Sequence, residues 1–226
     1  MAQPSEPVTR FDEMTLDELR RELAPLIARA AAFDGWSGEA VANAAREAGV
    51  DADVAAFAFK GGAMEMIAPW IAHVDLRMAD AFPLEALASA SVRERIRRLV
   101  QFRLDAVTGL EESLRRSLAV MAMPQNVARS AKLGWSSADA MWRLAGDTAT
   151  DINYYTKRTI LAGVYAATLA VLVEDQSEGK ADTRAFLDRR IDGIIRFEKA
   201  KAQLLKPADE HFSLARFLGR IRYPAR

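Results

Sequence analysis

Residues 34–62 read DGWSGEAVANAAREAGVDADVAAFAFKGG, and this stretch decides the fold. Asp34-Gly35 makes a turn, and Ser37 is a good N-cap because its hydroxyl can accept from the free amides that open a helix. That helix runs through Ala48, and Gly49 ends it as a residue that takes left-handed dihedrals without steric cost. Asp51 is the next N-cap, for a short helix that stops before Gly61-Gly62. Upstream, Thr15-Leu16-Asp17-Glu18 is a capping-box pattern, and Leu16, Leu19, Leu23, Leu26 and Ile27 share one face of a first helix. Pro25 inside that helix is expected to kink or restart it. Three short helices at this spacing form a helix-turn-helix-like head over 14–62.

Beyond the head, helical periodicity continues and strand alternation is nearly missing, so the expected class is all-α. Periodic segments cover about 63–80, 91–108, 110–123, 125–145, 148–174 and 182–205. Pro83, Gly109, Pro124, Gly146 and the polar run Glu174 to Lys180 separate them. The predicted organisation is a disordered N-terminus (1–13), the head (14–62), a helical ligand-binding body (63–206) and an amphipathic basic tail helix (207–226).

The 226 residues carry 31 basic and 31 acidic side chains and no Cys. Zero net charge gives the chain as a whole no pull toward nucleic acid, so any basic surface is local. The lack of Cys excludes disulfides, zinc fingers, iron–sulfur ligation and thiol catalysis together. Met1 to Met14 has neither a basic end nor an apolar run and does not read as a signal peptide. No window reaches the ~18 consecutive apolar residues of a spanning helix, so a soluble protein is expected, or one that lies on a membrane without crossing it.

A three-helix head on a body of long helices resembles the TetR regulators, whose heads read DNA and whose bodies bind ligands. Gly35-Trp36-Ser37, Val41, Ala42, Ala45, Ala48, Gly49-Val50 and Phe59-Lys60 carry that likeness. A DNA-reading helix offers Arg, Lys, Asn or Gln to bases and phosphates. Here the segment from Asp51 to Phe59 has two carboxylates and no such donor. From Asp34 to Lys60, five acids (Asp34, Glu39, Glu47, Asp51, Asp53) stand against two bases (Arg46, Lys60), which repels phosphate. A ligand-responsive TetR-type transcriptional regulator is therefore the second reading, and no nucleic-acid partner is expected.

Catalysis has little to work with. His73 follows Trp70 and Ile71 on an apolar helix, a core or boundary position. His211 has no acidic spacing suited to a metal, and no Glu-x-x-His pair is present. Gly61-Gly62 is a helix break rather than a phosphate loop. Asp147 and Asp151 would share a helix face, but no nucleophile stands beside them, so they read as cap and salt-bridge partners of Lys157 or Arg158. Neither enzyme activity, cofactor nor metal is expected.

The stretch from Met141 to Arg158 mixes an indole, two phenols, a thioether and carboxylates within about five helical turns, which suits a recognition surface. Ser137-Ala138-Asp139, Met141-Trp142, Ala145-Gly146-Asp147, Thr150-Asp151, Asn153, Tyr155-Thr156, Arg158, Leu161-Ala162-Gly163 and Tyr165 resemble the signature of the Coq-nine family. These are accessory lipid-binding proteins of ubiquinone biosynthesis. Gly35-Trp36-Ser37, Glu39-Ala40, Gly62 and Glu65, with Asp182-Thr183, Phe186-Leu187 and Arg190-Ile191, extend the likeness over about 15–205. The resemblance implies a TetR-like fold that has given up DNA and a cavity for an isoprenoid quinone precursor or other lipid. It also implies peripheral membrane association and partnership with the Coq-seven hydroxylase, which hydroxylates demethoxyubiquinone. It places the partner patch on Asp139, Met141, Asp151, Tyr154 and Tyr155. Tyr154 departs from the family pattern, which has Trp there; a phenol keeps the flat face with less area. The Ala- and Arg-rich style suggests a bacterial member on the inner face of the cytoplasmic membrane, and analogy with TetR bodies suggests a homodimer.

Within the body, Leu99, Phe102, Leu118, Met121, Tyr165 and Leu169 are the candidate lipid-binding residues. Most apolar residues at such spacing fill a core, and the sequence leaves open which of them enclose a hole. In the tail, Leu214, Phe217, Leu218 and Ile221 fall at i, i+3, i+4 and i+7, with Arg216 and Arg220 opposite. From His211 onward there are four Arg and no acid, which suits the boundary of an anionic membrane. Docking of this helix on its own body or on a second subunit is the alternative. Trp142 is open between core and surface, and Gly146 and Thr150 shape the turn or helix start.

Overall fold

The computed structural model describes residues 14–150 and 152–204, and among them regular structure is helical with no strand. Nine α-helices follow in chain order among these residues: α1 (Leu16–Asp34), α2 (Gly38–Ala48), α3 (Ala52–Ala58), α4 (Ala63–Ala81), α5 (Val92–Asp105), α6 (Glu111–Met121), α7 (Val127–Leu144), α8 (Ile152–Leu172) and α9 (Ala181–Leu204). The N-terminal segment 1–13, the patch candidate Asp151 and the tail candidates Leu214, Arg216, Phe217, Leu218, Arg220 and Ile221 lie outside the described residues.

Local signals set the head as the sequence predicts. Glu18 N–H donates to Thr15 Oγ1 at 3.3 Å and Thr15 N–H donates to Glu18 Oε2 at 2.8 Å, which closes the capping box of α1. Ser37 Oγ accepts from Ala40 N–H to open α2, and Asp51 Oδ1 accepts from the amides of Asp53 and Val54 to open α3. Gly49 closes α2 at φ +74°, in the left-handed region. Pro25 does less than expected, because α1 runs through it as one helix, as α4 runs through Pro69. Leu23, Ala24, Ile27 and Ala28 around Pro25 are fully buried, so packing holds the helix where the lost amide would loosen it.

Helix α1 is the hub, packing on α2, α4 and α6. A single apolar core crosses from head to body. The rings of Trp36 and Trp70 lie 5.3 Å apart. Trp36 Nε1–H donates to the Ser113 carbonyl at 3.0 Å, and the Ser113 hydroxyl donates to the Ala28 carbonyl at 2.6 Å. Buried hydrogen bonds thus tie α1 and the α1–α2 turn to α6. On the other side of the body α7 packs on α8 and α8 on α9, while Arg93–Asp192 and Arg97–Asp188 ion pairs tie α5 to α9.

Candidate functional site

Helices α4 to α8 line a half-open cavity of about 570 Å³, a size in the range of roughly 300–1,000 Å³ that small-molecule sites occupy. Its wall is mostly apolar. Trp70 and Val74 come from α4, Leu118 and Met121 from α6, Trp135 from α7, and Tyr165 and Leu169 from α8. Of the lipid-binding candidates, Leu118, Met121, Tyr165 and Leu169 therefore face this space. Leu99 and Phe102 do not. Leu99 is fully buried in the core one turn before Arg103, and Phe102 packs edge-on against Phe82 with centroids 5.7 Å apart. Core and cavity wall demand the same apolar residues at the same helical spacing, so periodicity does not separate them.

Arg103, on α5, is absent from the residues the sequence singles out. Its side chain is only 2% exposed, yet it lines the cavity. A signal was there: Ile96, Leu99, Val100 and Leu104 mark the inward face of α5, and position 103 falls on it. Nη1 pairs with Asp75 of α4, and Nη2–H donates to Ser137 Oγ of α7 at 3.1 Å. The Ser137 hydroxyl donates in turn to Asp75 Oδ2 at 3.2 Å. The guanidinium carbon stands 4.9 Å from the Tyr165 ring. Burial pushes the Asp75 carboxyl above its ordinary value, and the Arg103 charge and the Ser137 hydroxyl pull it back. The Nε–H of Arg103 is shut off from solvent and has no hydrogen-bond partner among the described residues.

The patch candidates separate into roles. Met141 is fully buried and presents no side chain to a partner, a correction that follows from its place on the inward face of α7. Asp139 is engaged internally: it accepts from Arg158 Nε at 2.6 Å and Tyr154 OH at 3.2 Å, and pairs with Arg143 at 2.8 Å. Tyr154 is half-buried, with the Arg158 guanidinium 3.5 Å above its ring. Tyr155 is 61% exposed. Trp135, which the sequence reading passes over, lies 6.2 Å from Tyr154 and 6.0 Å from Tyr155, so one indole touches both the aromatic patch and the cavity.

Behind the patch, Arg158 is only 1% exposed and joins α8 to the end of α7. Its Nη1 donates to Asp147 Oδ2 at 2.9 Å, and Lys157 Nζ donates to Asp147 Oδ1 at 2.7 Å. Burial raises the Asp147 carboxyl, but these two cations outweigh it and hold the group below its ordinary value. The salt-bridge reading of Asp147 is the one the geometry carries. Trp142 donates its Nε1–H to the Lys157 carbonyl at 3.1 Å, which places it between α7 and α8. His73 is half-buried, and burial followed by the charge of Arg77 lowers its pKa. Among the described residues, no group of His, Asp and Glu is arranged to hold a metal ion.

A helix-turn-helix-like head fused to a helical body with an apolar cavity defines a TetR-like fold. The crystal structure of the TetR transcriptional regulator from Nitrosomonas europaea ATCC 19718 superposes with a TM-score of 0.63 at 20% identity, covering 79% of this chain and 99% of that one. Residues 127–198, α7 through most of α9, match the COQ9 family model. The ubiquinone biosynthesis protein COQ9, mitochondrial, of Rattus norvegicus is 34% identical over 168 residues, 71% of this chain and 54% of that protein. The Homo sapiens protein of the same name is 32% identical over 168 residues, 71% of this chain and 52% of its own length. The chain belongs to the COQ9 family. It spans about half the length of these relatives.

Proposed function

We propose that the protein is a lipid-binding accessory factor of ubiquinone biosynthesis, which takes isoprenoid quinone intermediates from a membrane and presents them to a demethoxyubiquinone hydroxylase. The observation that carries this reading is the apolar cavity of about 570 Å³ within the body. A water-filled cavity of this lining is costly, and a polyprenyl chain replaces that water with dispersion contacts. The bond chemistry is left to the hydroxylase. No helix among the described residues is long and apolar enough to cross a membrane. Peripheral attachment at the inner face of the bacterial cytoplasmic membrane belongs to this reading, carried by the four Arg and the apolar spacing of the sequence from His211 onward. A homodimer fits the same picture by analogy with TetR-like bodies.

Organic extraction of the purified protein followed by mass spectrometry tests the reading. A bound quinone precursor or other lipid is the expected result, and a protein free of lipid overturns it. The TetR neighbour keeps a ligand-responsive regulator as the second reading. The exposed side of α3 opposes it: Asp51, Asp53, Val54 and Phe57 stand there, and none donates to a base edge. A shift of duplex DNA at moderate salt would restore it.

A further inference from the structure

The polar end of the cavity is built around Arg103. Arg103 reaches it from α5, Asp75 closes one side of the guanidinium from α4, and Ser137 closes another from α7. Asp75 already balances the positive charge. Of the three guanidinium nitrogens, Nε is the one that has no hydrogen-bond partner among the described residues, and it is sealed from water. A buried donor in that state is unfavourable, and filling its hydrogen bond is favourable.

We propose that Arg103 receives a neutral oxygen acceptor, the carbonyl of a quinone or ketone head group, while the apolar chain of the same ligand lies along Leu118, Met121 and Leu169. This rests on the lipid-binding reading and adds the chemistry of the head. An anionic head fits poorly. It would bring a second carboxylate to a guanidinium that Asp75 has neutralised, inside a wall that offers no other cation. A pure hydrocarbon fits the wall and leaves the Nε–H unsatisfied. Nε is shut off from solvent, so the oxygen reaches it only when a neighbouring side chain gives way, and the Tyr165 ring, 4.9 Å from the guanidinium carbon, stands beside the guanidinium and itself lines the cavity.

Trp70 and Trp135 line the same cavity, so a decyl-substituted benzoquinone should quench intrinsic fluorescence, and other chains can compete with it. Decan-2-one, decane and decanoate share a chain length and differ only at the head. The ketone should compete about tenfold more strongly than the alkane, the equivalent of ~1.4 kcal/mol, and decanoate should be weakest. Arg103→Lys keeps a cation for Asp75 and deletes the Nε donor, so the ketone should lose its advantage over the alkane. A ketone no better than the alkane, a carboxylate better than the ketone, or equal losses for ketone and alkane in Arg103→Lys would each overturn the proposal while leaving a lipid cavity. If Arg103→Lys fails to fold, the order of the competitors on the unmodified protein still decides. If no probe binds at all, the lipid-binding reading falls and this one with it.

Discussion

Replacing Arg158 by Met should destabilise the protein substantially. The guanidinium is 1% exposed and bridges Asp139 at 2.6 Å and Asp147 at 2.9 Å, with a further bond to the Tyr154 carbonyl at 3.1 Å. Removing one partner of a buried ion pair costs about 3–5 kcal/mol, because the other charge stays buried. Here the stranded carboxylates keep some company. Asp147 still has Lys157 at 2.7 Å, and Asp139 still has Arg143, which is 71% exposed and therefore weakly held. These survivors offset part of the loss, leaving about 2–3 kcal/mol net. At about 2–4 °C per kcal/mol for a chain of this size, the melting temperature falls by about 4–12 °C. Thermal melts followed by circular dichroism at pH 7 measure it. Adding Asp139→Asn and Asp147→Asn to Arg158→Met should recover much of the deficit, since the buried charges disappear with their partner. A single variant that melts within about 2 °C of the parent refutes the assignment, since even the smallest net cost exceeds that. So does a triple variant less stable than the single one.

Tyr155→Ala should leave the melting temperature unchanged and weaken co-purification with the hydroxylase, whereas Tyr154→Ala should lower the melting temperature because its ring packs under Arg158. Equal behaviour of the two tyrosines would dismiss that division. Asp175 accepts from Ser177 N–H and Thr183 N–H, each at 2.8 Å, and from both hydroxyls at 2.5 Å. Burial opposes these bonds, yet together they hold the carboxyl well below its ordinary value. A depressed pKa means stability that is complete above the unfolded value of about 4 and lost as pH falls below it. Urea titrations from about pH 7 to 2 should therefore fall more steeply for the parent than for Asp175→Asn. Parallel curves would contradict the sign.

The head was legible because its determinants are local. Thr15, Ser37, Gly49 and Asp51 act within a few residues of themselves, and each sits where its chemistry puts it. The body's helix order was legible for the same reason, through Pro124, Gly146 and the apolar periodicity. The cavity was not. Leu99 and Leu169 look alike in sequence, and only the relative placement of α4 to α8 decides that one fills space while the other borders it. The patch shows a third kind of limit. Asp139 and Tyr154 carry the composition of a binding surface, but Arg158, nineteen positions from Asp139, turns them inward. Trp135 stands ahead of the motif and gains its meaning only when α7 meets α8.

The contact between Trp36 and Trp70 makes the two halves of the chain mechanically dependent on each other. Trp70 is cavity wall on one side and partner to the head's Trp36 on the other, and the Ser113 carbonyl of α6 holds Trp36 in place. The head is thus a buttress for the cavity. Cutting that segment away would open the wall it supports, whether or not anything is ever bound by α3.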